Sequence, residues 1–158
     1  MGELIGAVAG GYLCDRFERR LIAGIGFLML IITALSFGLT AGAWFEPGYP
    51  HVILLPAFKG FLAMLTVSMF SLYMKISWTK AAATQYTLYM AANNVGYAIG
   101  AKLLAWLEYF GYRLDTADFY VLAGAMPILP LLLLTRLDPA AVERRKIADR
   151  EALAAGVA

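Results

Sequence analysis

The chain has little cysteine, histidine and charge, and each shortage excludes a class of protein or site. Cys14 is the only cysteine among the 158 residues, which excludes an internal disulfide and a metal cluster held by cysteines. His51 is the only histidine, so we expect it to be solvated rather than a metal ligand. Charged residues make up 15% of the chain, whereas about a quarter is usual for a soluble domain. The composition therefore favours a membrane protein without a metal site.

Residue patterns typical of catalysis are also absent. The sequence contains no nucleophile paired with a general base, no glycine-rich phosphate-binding loop and no dinucleotide fingerprint. We therefore predict that the chain is not an enzyme, takes no cofactor and has no nucleic-acid partner.

Apolar residues make up 61% of the chain and are concentrated in long runs. About 20 such residues are needed to cross the ~30 Å hydrocarbon core of a bilayer. Four runs are long enough, at about 21–44, 52–74, 84–107 and 117–135, and a fifth, at 1–13, is too short. We predict an all-α membrane protein with four full transmembrane helices plus a truncated one. These form a partial bundle over residues 1–136, and a charged tail follows over 137–158.

Two rows of small residues predict close packing between helices. Gly2, Gly6 and Gly10 recur every four residues, as do Ala92, Gly96 and Gly100. Small residues at this spacing let the backbone of a second helix approach closely. The alternative for the first row is a flexible, glycine-rich start of the chain.

Basic residues lie mostly on one side of the predicted membrane. Ten of the 13 fall in the first link, the third link or the tail, and only Arg113 falls on the other side. Loops rich in lysine and arginine stay in the cytoplasm. We therefore predict a multi-pass integral membrane protein with a cytoplasmic C-terminus, in the cytoplasmic (inner) membrane if the source is bacterial.

The first link, within residues 10–20 (GGYLCDRFERR), is more specific than a basic loop. It resembles the G-x-L-x-D-R-x-G-R-R/K signature of the major facilitator superfamily, and departs from it at Glu18, where that family usually has glycine. The resemblance implies a conformational latch that stabilises one access state, formed by Gly11, Asp15, Arg16, Arg19 and Arg20. Asp15 would meet a helix of the opposite half, and the arginines would tie the loop to neighbouring helix ends. A generic basic loop is the alternative.

The position of the signature predicts which part of such a transporter this is. Four spans and a tail follow it, which matches the second copy of the signature, between helices 8 and 9 of twelve. The chain would then be the C-terminal portion, from the end of helix 8 to helix 12, and its partners would include the missing N-terminal helices. We expect these 158 residues alone not to transport, and uptake by liposomes containing only them would contradict this.

The span at 84–107 is more polar than the others. At 100° per residue, Tyr86, Tyr89, Met90, Asn93, Gly96, Tyr97 and Gly100 share one face, opposite Lys102. Polar groups in a membrane usually face protein or a water-filled cavity. We predict that Tyr89, Asn93, Asn94 and Tyr97 bind substrate. Bonding to other helices is the alternative.

The start of this span carries a second resemblance. Ala83-Thr84-Gln85-Tyr86, preceded by Thr79-Lys80, is similar to helix 11 of AmpG-type muropeptide permeases and acetyl-CoA transporters. That resemblance implies a bulky, anionic solute such as a muropeptide, and import driven by protons.

Besides Asp118 at the edge of the last span, three charges lie inside the predicted spans. Lys59 shares a helix face with Thr66, and both are candidates to bind a substrate carboxylate or phosphate, although snorkelling or an ion pair would also explain Lys59. Lys102 is nearer the outer surface, where snorkelling is favoured. Glu3 is a candidate to carry the coupling proton, because burial favours the protonated form of a carboxylate.

These observations predict a fragment of a proton-coupled symporter of the major facilitator type, a permease whose partners are a small-molecule solute, protons and the lipid bilayer. The alternative is a truncated membrane remnant that does not transport, or an interaction module that docks with a complementary half.

Overall fold

All secondary structure in the described residues is helical. The computed structural model describes residues 1–46, 48, 51–77, 82–112, 114–136 and, within the tail, 141, 144, 147, 148 and 151. The helices are α1 (Gly2–Arg16), α2 (Arg19–Leu39), α3 (His51–Ile76), α4 (Ala82–Tyr109), α5 (Thr116–Ala125) and α6 (Ile128–Arg136), with a 3-10 turn at Ala41–Ala43. The predicted all-α class is confirmed. Outside the described residues lie Thr79, Lys80, Arg113, Arg145, Lys146, Arg150 and the side chain of His51.

Three of the described segments are long and apolar enough to cross a membrane. They are Arg19–Leu39, Val52–Ile76 and Thr116–Arg136, and they confirm three of the four predicted full spans. The fourth forms the predicted helix, α4, with 28 residues. However, α4 is not among the three, because its tyrosines, asparagines and threonines lower its mean hydropathy, so the prediction of a fourth full span is supported by length alone. At 15 residues, α1 is about 22 Å long and too short to span, as predicted.

The last span is interrupted near its middle, which the sequence analysis did not predict. α5 ends at Ala125 and α6 begins at Ile128, with a turn between them. Pro127 has no N–H to donate and its ring crowds the carbonyl one turn earlier, so the helical hydrogen bonding is interrupted there while the backbone at Met126 stays α-helical. The Leu131 N–H still donates to the Pro127 carbonyl oxygen at 3.0 Å, so α6 starts directly from the break.

α1 and α3 pack against each other along the first row of small residues. A Cβ atom on Gly2 would overlap the Pro56 carbonyl oxygen, and one on Gly6 would overlap the Gly60 carbonyl oxygen. At Gly10 a Cβ atom would lie 3.0 Å from the Met64 Cα atom. The predicted close packing at these glycines is therefore confirmed.

The second row behaves differently. A Cβ atom on Gly96 or Gly100 would have no heavy atom of another described residue within 4 Å. The prediction of close packing there is wrong within the described residues. The physical reason is that α4 stands apart from the other helices: no residue of α4 is buried, and its main helix neighbour is α3.

α2 is the central helix of the bundle and contacts α1, α3, α5 and α6. Its core residues Ala23, Phe27 and Leu30 form one buried cluster with Leu65, Leu72 and Leu134. Towards the other end, Gly38 and Gly124 lie where α2 and α5 meet, and each receives a branched side chain of the opposite helix, Val121 and Leu35 respectively. Such interlocking holds α5 and α6 on α2 and leaves α4 on the opposite side of a gap.

Candidate solute-binding site

A cavity of about 890 Å³ fills the gap between α4 and the remaining helices. One side is formed by α4, where Tyr89, Asn93, Tyr97 and the small residues Ala92, Gly96 and Gly100 line it. The other side is formed by Phe27 of α2, Tyr73 of α3 and the break between α5 and α6. The polar stripe of α4 therefore faces the other helices across an open gap, with Tyr97 still 65% exposed, and its small residues leave the space for the cavity.

The cavity is mostly apolar and aromatic, with the amide of Asn93 and tyrosine hydroxyls as its polar side-chain groups, and it carries no charge among its described lining residues. The rings of Tyr73 and Tyr89 face each other with centroids 5.2 Å apart, and Asn93 is half-buried one turn further along α4. The Asn93 amide offers two donors and one acceptor, and it makes no hydrogen bond to any described residue. The predicted alternative, bonding between helices, thus finds no partner for Asn93 in the part of the chain that the structure describes.

The turn between α5 and α6 forms part of this wall. Met126, Pro127 and Pro130 line the cavity. A proline at position i supplies no N–H to the carbonyl at i−4, so the carbonyls of Ala123 and Met126 lose their usual donors. The two prolines therefore interrupt the helical hydrogen bonding beside the cavity.

The structure brings together only part of the predicted substrate set. Tyr89, Asn93 and Tyr97 line the cavity, whereas Asn94 is exposed and lies outside it. Thr66 also lies outside it, and its hydroxyl donates to the Leu62 carbonyl oxygen of its own helix at 2.8 Å.

Several lining residues were outside the predicted substrate set, Phe27 and Tyr73 among them. Phe27 has no polar signal in the sequence and reaches the cavity only because α2 is central. Tyr73 shares a helix face with Lys59, and this spacing was the sequence pattern that pointed to Tyr73 as a lining residue.

Lys59 and Glu3 are joined to each other. The Lys59 Nζ lies 3.8 Å from the Glu3 Oε1, and their side chains are 51% and 67% exposed. Lys59 lies eight residues along α3 from His51, so the pair sits ~12 Å from that end of the helix, beside the glycine row. Of the three interpretations of Lys59, the ion pair is thus present in the structure. Lys102 is exposed and lines a separate surface hollow with Trp106, away from the cavity.

The turn between α1 and α2 is fastened by its arginines. The Arg19 Nη1 donates to the Ser71 carbonyl oxygen of α3 at 2.9 Å, and the Arg20 Nη2 donates to the Thr135 carbonyl oxygen of α6. The guanidinium of Arg16 lies 4.7 Å from the centre of the Tyr12 ring. Two of the three arginines therefore hold the turn against neighbouring helices, as the resemblance implied.

The remaining signature residues face outward. Asp15 is exposed and has no hydrogen bond or ion pair to another described residue. A Cβ atom on Gly11 would have no heavy atom within 4 Å. The C-terminal end of α1 therefore presents the exposed carboxylate of Asp15, with open space beside Gly11.

The chain matches the Major Facilitator Superfamily over residues 1–156. Neither a curated protein nor a solved structure matches it. A match over almost the whole chain confirms the predictions of a multi-pass integral membrane protein and of a transporter-type protein rather than an enzyme. The apolar helices, the fastened basic turn and this match lead to one conclusion: the chain belongs to the Major Facilitator Superfamily.

Proposed function

We propose that the chain is the C-terminal portion of a secondary transporter that imports a bulky solute through the cavity beside α4. The observation that carries this proposal is the position of Tyr89, Asn93 and Tyr97, which line a large cavity in a chain of a transporter superfamily. Placement from the end of helix 8 to helix 12 rests on the resemblance of residues 10–20 to the second copy of the signature. In this placement the basic turn and the tail face the cytoplasm.

We infer the class of solute from the lining of the cavity and from the charge of Lys59, which lies outside the cavity on α3. A volume of about 890 Å³ lies in the range of sites that enclose small molecules. Tyrosine rings and an amide suit ring-bearing or amide-bearing parts of a solute. Lys59 lies on the same face of α3 as Tyr73, ~21 Å along the helix, where it is placed to attract an anionic group of a long solute. A muropeptide has these features, and the residues Ala83–Tyr86 at the start of α4 resemble permeases for such solutes.

Proton coupling is assigned to Glu3 because of its partner. An anionic group that binds Lys59 competes with Glu3, whose side chain is 67% exposed, so the burial on which its candidacy rested is absent. Solute binding at Lys59 would then release the Glu3 carboxylate from its partner.

The latch assignment rests on Asp15 and the two fastened arginines. Asp15 is available to a helix outside this chain, and helix N-termini stabilise carboxylates. Arg19 and Arg20 hold the turn that presents it.

A docking module without transport activity is the second candidate, favoured by the openness of α4. No residue of α4 is buried, and Leu88, Val95 and Ile99 are each more than half exposed. These side chains suit contact with lipid or with a complementary set of helices. Transport by the intact protein would separate the two candidates.

The adjacent asparagines provide the test. In cells producing the whole gene product that contains these residues, Asn93→Ala should lower uptake of a labelled muropeptide about tenfold, because an unpaired group in the bound solute costs about 1–3 kcal/mol. Asn94→Ala should change uptake less than about twofold, since Asn94 is exposed and lies outside the cavity. Substitutions at exposed positions usually change free energies by less than about 0.5 kcal/mol, which corresponds to about twofold. Protein abundance in the membrane is measured for both. Equal losses of uptake, or a loss of protein with Asn93→Ala alone, would contradict a solute-binding role.

A further inference from the structure

A hollow of about 640 Å³ lies between the end of α4 and the start of α5, and we call it the outer hollow. Its described walls carry four polar side chains, those of Glu108, Tyr112, Asp115 and Thr116. With the tail in the cytoplasm, these helix ends lie at the outer surface of the membrane. Because a carboxylate is costly to place in lipid, the outer hollow is open to water on that side.

The outer hollow continues the cavity beside α4, and Leu104 lines both. Successive membrane spans run in opposite directions, and both walls place the two spaces in the same order. Asn93 and Met126 line the cavity, whereas Glu108 and Phe119 line the outer hollow. The distance from Asn93 to Glu108 along α4 is ~22 Å, about the thickness of one leaflet with its headgroups. The two spaces together therefore reach from the middle of the membrane to its outer surface.

Leu104 is a bulky side chain at the place where the two spaces meet. Its neighbours on the α4 wall are small: Gly100 and Ala101 line the cavity, and Ala105 lines the outer hollow. Leu104 itself is half-buried. A solute that moves from the outer hollow into the cavity therefore passes a branched side chain flanked by open space.

We propose that the outer hollow is the mouth of the solute path and that Leu104 limits the size of the solute that enters the cavity. The inference rests on the proposed function, because it concerns the same solute. Glu108 and Asp115 keep the mouth hydrated, whereas the described lining of the cavity behind Leu104 carries no charge. An apolar site that lacks room for one methylene group discriminates about 10- to 200-fold against the larger substrate, so one side chain is enough to set a size limit.

Thiol labelling tests the mouth without requiring transport. Leu104→Cys and its matched control Leu103→Cys are made in the whole gene product with its native cysteines replaced. Intact cells are treated from outside with sulfonatoethyl methanethiosulfonate, an anion that does not cross membranes. Position 104 should react at least about tenfold faster than position 103, because only a hydrated thiol forms the reactive thiolate. Local charge opposes this result, since Lys102 lines a surface hollow with Leu103 and would attract the anionic reagent there.

Uptake tests the size limit. Leu104→Trp should lower uptake of a labelled muropeptide about tenfold, and Leu104→Ala should raise uptake of one with a longer peptide by about the same factor. Leu103→Trp and Leu103→Ala are the controls and should leave both rates unchanged. Protein abundance in the membrane is measured for every variant. Glu108→Cys, at the open end of the mouth, should also be labelled, which keeps the test decisive if Leu104→Cys lowers abundance.

Three results would overturn the proposal: equal labelling of positions 103 and 104, labelling of position 104 only in permeabilised cells, or an unchanged size range in Leu104→Ala. Failure of the proposed function gives a different result, in which no variant takes up muropeptide although position 104 is labelled from outside. The labelling then still supports the mouth, and the solute class alone is wrong.

Discussion

Replacing Gly6 with alanine should separate α1 from α3. The new methyl group would overlap the carbonyl oxygen of Gly60, which is backbone and cannot rotate away. Overpacking a tight contact costs about 1–3 kcal/mol when only side chains must move, and we expect at least the upper end of this range here. The measurement is the midpoint of thermal unfolding of the 158-residue chain in detergent, followed by circular dichroism.

Gly11→Ala is the matched control, because it makes the same substitution in the same helix. A Cβ atom on Gly11 meets no other heavy atom within 4 Å. Alanine is favoured over glycine in a helix by about 1 kcal/mol, so Gly11→Ala should keep or raise the midpoint while Gly6→Ala lowers it. If both variants moved the midpoint in the same direction, the close approach of α1 and α3 would be wrong.

Removing the charge of Lys59 should have the largest effect on transport. If Lys59 binds an anionic group of the solute, Lys59→Gln removes a charged hydrogen bond of about 1.5–3 kcal/mol and lowers uptake about tenfold to 100-fold. Glu3→Gln should act in the opposite direction on affinity, because it frees Lys59 from its partner at 3.8 Å. It should also abolish the part of uptake that a protonophore inhibits. Both are measured as concentration-dependent uptake of a labelled muropeptide by the intact protein.

The opposite effects of the two substitutions on affinity for the solute distinguish a substrate-binding Lys59 from one that only forms a structural ion pair. A pair that only holds α1 against α3 would make Lys59→Gln and Glu3→Gln equivalent, with the same loss of abundance and uptake. Lys102→Gln is the control for the lysine change, since Lys102 is exposed and lies away from both the pair and the cavity. Its uptake should match that of the unmodified protein.

Patterns within one helix were predicted well. The stripe of Tyr89, Asn93 and Tyr97 was assigned to one face of its helix from a rotation of 100° per residue, and these three side chains line one cavity. The glycine row of α1 was predicted to pack closely and does so.

The same type of pattern failed in α4. Ala92, Gly96 and Gly100 repeat the spacing of the first row, yet the structure leaves open space beside Gly96 and Gly100. Small residues permit close approach, but they do not determine which helix arrives. The helical repeat placed Asn93 on the polar face and left Asn94 off it, yet both were predicted to bind substrate, and only Asn93 lines the cavity.

The sequence by itself determined that the protein is helical, that it lies in a membrane, that its turn is basic and that one face of α4 is polar. These properties depend on hydrophobicity and on the helical repeat, which are local along the chain. Only the tertiary structure decided that Phe27 and Tyr73 face the polar stripe, that Lys59 pairs with Glu3, and that Leu104 lies between the cavity and the outer hollow. Such contacts join residues far apart in sequence, and they depend on which helices meet and at what distance.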